Sequence, residues 1–175
     1  GLGLLLTLNQ PTIAMGVVCV PLVMVYPLMK RITDYPQAWL GICFNWGVLM
    51  GATTVCGWDF NYPATLSLFA SSWCWTMVYD TIYAHQDTED DALIGVKSTA
   101  RLFGTETPMW LRRFIVLKVS LMAAAVILAM LDSASVLALV LALAAPWAMG
   151  WHLTWQLRAF DAENNQRLLQ LFSLN

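Results

Sequence analysis

Pro11-Thr12-Ile13-Ala14-Met15-Gly16-Val17-Val18-Cys19-Val20-Pro21-Leu22-Val23-Met24-Val25-Tyr26-Pro27-Leu28-Met29-Lys30-Arg31-Ile32 carries no charge over its first nineteen residues, and then two cations arrive together. A helix needs roughly 20 apolar residues to cross a hydrocarbon core. A Lys–Arg pair closing such a run is where long side chains reach back to water. Four more stretches of the same kind follow, near 36–56, 63–86, 109–131 and 134–157, so five spans are expected. Three of the five begin at proline, whose missing N–H costs nothing in a first helical turn. The third is the least apolar, because Asp80 lies inside it.

Composition agrees with this reading. Hydrophobic residues make up 59% of the 175 and charged residues only 11%, against about 25% charged in soluble domains. Nine tryptophans fit a chain that meets membrane–water interfaces. A net charge of −2 without a basic stripe excludes nucleic acid as a partner and leaves the lipid bilayer as the surroundings. Cys19, Cys43, Cys56 and Cys74 stand alone, with no C-x-x-C pair, and are expected to be small packed hydrophobes.

The connections sort by charge. The turns at 57–62 and 132–133 hold no Lys or Arg, whereas Lys30, Arg31, Lys97, Arg101, Arg112, Arg113, Arg158 and Arg167 all fall on the other side once five spans are threaded in order. The positive-inside rule makes that side, with the loop 87–108, cytoplasmic, or the matrix side of a mitochondrial inner membrane. Within the loop, Ala92–Phe103 is expected to be one short helix stopped by Gly104. The tail, 162–174, sets Leu168, Leu169, Leu171 and Phe172 among polar residues. It is expected to lie on the interface or to lead into another span.

The chemistry-bearing stretch is Tyr79-Asp80-Thr81-Ile82-Tyr83-Ala84-His85-Gln86-Asp87-Thr88-Glu89-Asp90-Asp91. In a continuous helix Asp80, Ala84, Asp87 and Asp91 share one face. Mg²⁺ is typically held by one or two carboxylates plus substrate phosphates, so Asp87 and Asp91 read as such a pair. A second account stands beside it: acidic residues ahead of Ala92–Phe103 are also what a helix N-terminus favours. Asp80, inside a span, is a functional hypothesis in its own right. Lys30 and Lys97 are candidates for phosphate, and Arg31 for a planar bidentate anion, although a cation pair at a helix end also serves as a plain anchor. Asn45, inside the second span, bonds either a substrate or another helix. His85 and His152 each stand alone and are expected to be packing residues.

The 79–91 stretch, continued by Leu93-Ile94-Gly95-Val96-Lys97-Ser98-Thr99-Ala100, resembles the second aspartate-rich motif of UbiA-type prenyltransferases of the 4-hydroxybenzoate polyprenyltransferase subfamily. Tyr26-Pro27-Leu28-Met29-Lys30-Arg31 and Phe44-Asn45-Trp46-Gly47 are similar to the same subfamily. The resemblance implies an all-α integral membrane helix bundle of about nine spans, five of them complete here. It also implies transfer of a polyprenyl group from polyprenyl diphosphate to the ring of 4-hydroxybenzoate in ubiquinone biosynthesis, with Mg²⁺. On this implication Asp87 and Asp91 are the metal ligands, and Asp80 acts with them in catalysis. Tyr26, Asn45 and Tyr83 line the substrate cavity, Lys30 and Lys97 face diphosphate, and Arg31 holds the benzoate carboxylate.

The family's first motif, N-D-x-x-D-x-x-x-D, is absent from the chain. The sequence also opens on Gly1 inside an apolar run and stops just after an amphipathic stretch. It is therefore expected to be the C-terminal part of one prenyltransferase domain, in a bacterial inner or mitochondrial inner membrane, and inactive by itself. Within the fold, homogentisate, a naphthoate or haem are alternative acceptors. From another class, a divalent-cation transporter would use intramembrane carboxylates, but no inverted repeat or broken helix supports one.

Overall fold

A computed structural model describes residues 1–131, 135–161 and 164–173. The expected turn at 132–133 and the first residue of the fifth span, 134, lie outside the described residues, as do parts of the tail. Everything described is helix, turn or connection. A short α1 (Leu2–Leu5) precedes α2 (Gln10–Ile32), α3 (Pro36–Cys56) and α4 (Tyr62–Ala84). A 3₁₀ turn (His85–Asp87) then leads to α5 (Thr88–Ile94) and α6 (Thr99–Phe103). A second 3₁₀ turn (Gly104–Glu106) leads to α7 (Thr107–Met130), followed by α8 (Val136–Arg158) and α9 (Asn165–Ser173).

Local chemistry sets the long helices. Asn9 caps α2 by accepting the Thr12 N–H at 3.1 Å, and Asn61 caps α4 by accepting that of Ala64 at 3.0 Å. Proline stands in the first turn of α2, α3, α4 and α7. Helices α2, α3 and α8, and the stretch from α6 through α7, are long and apolar enough to cross a membrane. Helix α4 matches them at 23 residues, but its polar content keeps it below that hydropathy.

The long helices pack in a row, α2–α3–α4–α7–α8, each against the next, with α9 on α4. Val17, Val20, Val116, Leu141, Trp147 and Trp151 stand exposed on the outer faces. So large an apolar surface is what lipid covers and water does not. Polar groups knit the interior. Trp39 and Trp46 donate their indole N–H to the carbonyls of Leu22 and Met15 on α2, at 2.8 and 2.9 Å, and Trp73 donates to Ala38 on α3 at 2.8 Å. These three tryptophans are inter-helix donors. Gly41 makes room for Trp73, since a Cβ there would meet its ring at 2.7 Å.

The four cysteines are free: Cys74 is buried and Cys56 exposed. The two histidines are packing residues as expected. His85 sits 3.0 Å from the Thr107 hydroxyl, and His152 3.1 Å from the Gln156 amide.

One expectation needs correction. Ala92–Phe103 is not one helix. Gly95 takes a left-handed φ of 72°, and its N–H and that of Val96 both close onto the Asp91 carbonyl, which ends α5. Ser98 then caps a new helix, α6. The described part of the tail is α9, which packs on α4. Helix α9 folds back, and Leu168 and Leu171 fill a core with Val78 and Ile82 of α4, Leu111 and Ile115 of α7, and Leu153 of α8. An amphipathic helix takes the nearest apolar surface, and the end of α4 offers one.

Candidate functional site

The cavity that matters lies at the end of the bundle where α2 and α4 finish and α3 begins. It holds about 170 Å³ and is lined by Tyr26 and Lys30 of α2, Pro36 and Gln37 of α3, and Asp80, Tyr83 and Ala84 of α4. Asp87, Asp91, Val96, Lys97 and Ser98 complete it from the loop. Seven residues read from the sequence are thus gathered in one space: Tyr26, Lys30, Asp80, Tyr83, Asp87, Asp91 and Lys97.

The carboxylates converge although the helix does not run through them. Helix α4 stops at Ala84, and the chain tightens into the 3₁₀ turn before α5 begins. With three residues per turn instead of 3.6, the turn shifts the register slightly, and Asp87 and Asp91 still face the space that Asp80 faces. Asp87 occupies the N-cap position of α5, but its side chain makes no capping hydrogen bond. Burial first, and the Asp87 carboxylate second, push the Asp91 carboxyl above its ordinary value, against the pull of Lys30 and Arg101. Such a pair of facing carboxylates is relieved by a cation.

The opposite wall is built by hydrogen bonds. The Lys97 N–H donates to the Lys30 carbonyl at 2.9 Å, which fastens the loop to the end of α2. The Lys97 ammonium lies 3.6 Å from the Asp34 carboxylate, both well exposed. Arg101 donates to the carbonyls of Asp91 and Val96, so its guanidinium braces the turn around Gly95. The Thr99 hydroxyl, 2.7 Å from that of Thr81, packs α6 onto α4, whereas the Ser98 side chain lines the cavity. Tyr83 has its ring 4.7 Å from that of Phe172 on α9.

Two residues read from the sequence are not brought in. Asn45 is buried, and its amide donates to the Gly41 carbonyl and to Thr76 Oγ1, both at 2.8 Å. Its NH₂ thus bonds a neighbouring helix, where α3 and α4 approach closely at Gly41. Arg31 is exposed and is not among the residues lining the cavity. It follows Lys30 by one residue, hence about 100° round the helix. Sequence reading missed Gln37 and Arg101. The available signal for Gln37 was a lone amide directly after the proline that opens a span. For Arg101 there was none, since its partners are main-chain carbonyls. Among the described residues no group of three His, Cys, Asp or Glu is placed to hold a metal ion by itself.

The chain is 54% identical over 114 residues to the mitochondrial 4-hydroxybenzoate polyprenyltransferase of Arabidopsis thaliana, covering 65% of the chain and 28% of that protein. It is 54% identical over 113 residues to the Rattus norvegicus protein of the same name, covering 65% and 30%. To 4-hydroxybenzoate geranyltransferase 1 of Lithospermum erythrorhizon it is 51% identical over 117 residues, covering 65% and 37%. The matched stretch thus spans about a third of the length of these curated relatives. No solved structure matches the chain significantly. The model of the UbiA prenyltransferase family matches residues 1–175. A match over the whole length, on an all-helical membrane bundle with acidic and basic walls facing one cavity, makes this chain a member of the UbiA prenyltransferase family.

Proposed function

We propose that this chain supplies the metal and diphosphate walls of a 4-hydroxybenzoate polyprenyltransferase. The observation that carries the reading is the cavity itself, where Asp80, Asp87 and Asp91 meet Lys30 and Lys97 at one end of an apolar bundle. Polyprenyl diphosphate suits such a place, with its tail in the bilayer and its charged head among the loops. Asp87 and Asp91 fit Mg²⁺, since two carboxylates leave most of its coordination to diphosphate oxygens and water. When bound, the ion neutralises charge on the leaving diphosphate and so makes departure easier.

The protein's own groups do the rest. The ammonium groups of Lys30 and Lys97 hold diphosphate oxygens as the bond between the prenyl C1 and oxygen breaks, its electron pair leaving with oxygen. Tyr26 and Tyr83 offer aromatic faces to the allylic cation. The ring carbon beside the hydroxyl of 4-hydroxybenzoate forms the new C–C bond and loses its proton. Asp80 lies in the last turns of α4, seven residues before Asp87, and its carboxylate oxygen takes that proton. The names of the relatives support benzoate as acceptor over homogentisate, a naphthoate or haem. Membranes containing this chain joined to N-terminal spans that carry the family's first motif, in a host lacking its own enzyme, are expected to form prenylated 4-hydroxybenzoate from polyprenyl diphosphate and Mg²⁺, and membranes containing residues 1–175 alone are not. Turnover with homogentisate but not with 4-hydroxybenzoate would reassign the acceptor.

The reading also fixes orientation. The basic residues put the cavity, α5, α6 and α9 on the cytoplasmic or matrix side, with α4 as a fifth span. In a cysteine-free background, Thr105→Cys is expected to react with an impermeant thiol reagent only from that side, and Asp59→Cys only from the other. Labelling of the position-105 thiol from outside intact cells would invert the topology.

A further inference from the structure

Gln37 is 5% exposed, stands second in α3 after Pro36, and lines the cavity beside Lys30 and Lys97. Its Oε1 accepts the Thr99 N–H at 3.1 Å. A side-chain amide has an acceptor end and a donor end. With the oxygen committed to a main-chain N–H, only the NH₂ end is left to act on anything else. Among the described residues, the only buried side-chain nitrogen or oxygen without a partner is Gln86 Nε2. The Nε2 of Gln37 also has no protein partner, so it reaches open space, and the space beside this residue is the cavity.

The hydrogen bonds around it decide what it meets. Gln37 is tied to Thr99, and Lys97, two residues earlier, is tied to the Lys30 carbonyl. Lys30, Gln37 and the Lys97–Thr99 segment therefore form one wall. Its two ammonium groups and its amide NH₂ can only donate, while the carboxylates of the cavity come from α4, the 3₁₀ turn and α5. A neutral donor locked between two cations suits an oxyanion with several acceptor oxygens, and not a metal ion.

We propose that Gln37 is a diphosphate-binding residue, donating from Nε2 to a non-bridging oxygen of the prenyl diphosphate while Oε1 holds α6 in place. This rests on the reading of the site as a diphosphate cavity. Gln37→Glu and Gln37→Leu, made in this chain joined to the N-terminal spans that carry the first motif, separate the two ends of the amide. Glu keeps an acceptor for Thr99 and exchanges the donor for an oxygen. Leu loses both ends and adds no charge.

Both variants are expected to raise KM for polyprenyl diphosphate about tenfold or more, as for a lost hydrogen bond to a charged group. KM for 4-hydroxybenzoate should stay near the parent value. Binding of inorganic diphosphate with Mg²⁺, measured by calorimetry, should weaken by a similar factor. Only Leu should lower the melting temperature, because only Leu leaves the Thr99 N–H unpaired. If Leu lowers the melting temperature and leaves diphosphate binding intact, Gln37 is a cap alone and the inference falls. It also falls if Glu weakens binding and Leu does not, which is the signature of added charge. A parent chain that binds Mg²⁺–diphosphate but prenylates no acceptor would instead sink the proposed function, with the Gln37 contact still decided by the calorimetry.

Discussion

Asp87→Asn and Asp91→Asn, each made in this chain joined to the N-terminal spans that carry the first motif, are expected to lower prenyl transfer by about two to three powers of ten. Lewis-acid stabilisation of a leaving diphosphate is worth several kcal/mol, and each ~1.4 kcal/mol is a factor of ten in rate. Both residues line the cavity, and neither side chain has another task in the structure. Asp87 makes no capping hydrogen bond, and Asp91 holds its neighbours through its main-chain carbonyl. Asparagine at position 91 therefore keeps the turn and removes only the charge. Asp90 is exposed and outside the cavity lining, so Asp90→Asn should cost little. Prenyl transfer in membranes, titrated with Mg²⁺, gives the measurement. Equal losses from all three substitutions would mean that the acidic run acts as diffuse charge at the start of α5, and the metal assignment would fail.

The largest effect on stability is expected from Leu111→Ala. Leu111 is fully buried where α4, α7, α8 and α9 meet, against Val78, Ile82, Leu153, Leu168 and Leu171. Truncating a buried leucine costs about 2–5 kcal/mol, through lost transfer energy and the cavity left behind. In a bilayer the transfer part shrinks, because lipid tails are as apolar as leucine. The packing part remains, and about 2 kcal/mol is the expected loss. At this chain length that is a fall of roughly 4–8 °C in melting temperature in detergent. Since α9 depends on this core, cleavage by trypsin at Arg158 and Arg167 should quicken. Val116→Ala, on the exposed face of the same helix, should shift neither. Equal shifts from the two substitutions would mean that Leu111 packs against lipid and not against α9.

The spans and the acidic cluster were legible in the sequence because both are local. A backbone in hydrocarbon must satisfy its N–H and C=O groups within its own helix. A run such as Pro11–Met29 therefore declares a helix without reference to any other part of the chain, and α3 matches its expected bounds, Pro36 to Cys56. Proline and asparagine at the starts act within one turn. Asp80, Asp87 and Asp91 fall within twelve residues, so helical periodicity brought them together, and the 3₁₀ turn after Ala84 disturbed that too little to matter. Lys30 was readable as the end of a span, but its neighbourhood to Lys97 was not.

Whatever depends on which helix lies beside which was decided by the tertiary structure. Asn45 read equally as a substrate ligand or a bond between helices, and only the approach of α3 to α4 at Gly41 brings Thr76 within 2.8 Å of its amide nitrogen. The split of Ala92–Phe103 at Gly95 arises from the closure of two amides onto Asp91 and from Arg101 reaching back across the loop. The amphipathic pattern of α9 said that it would cover an apolar surface, but that this surface is the end of α4 is a matter of packing geometry. Gln37 entered the site because Thr99, 62 residues away in sequence, takes its oxygen and fixes which end of the amide the cavity receives. Hydrogen bonds of that range leave no periodicity in a sequence, because their partners meet only after the helices have packed.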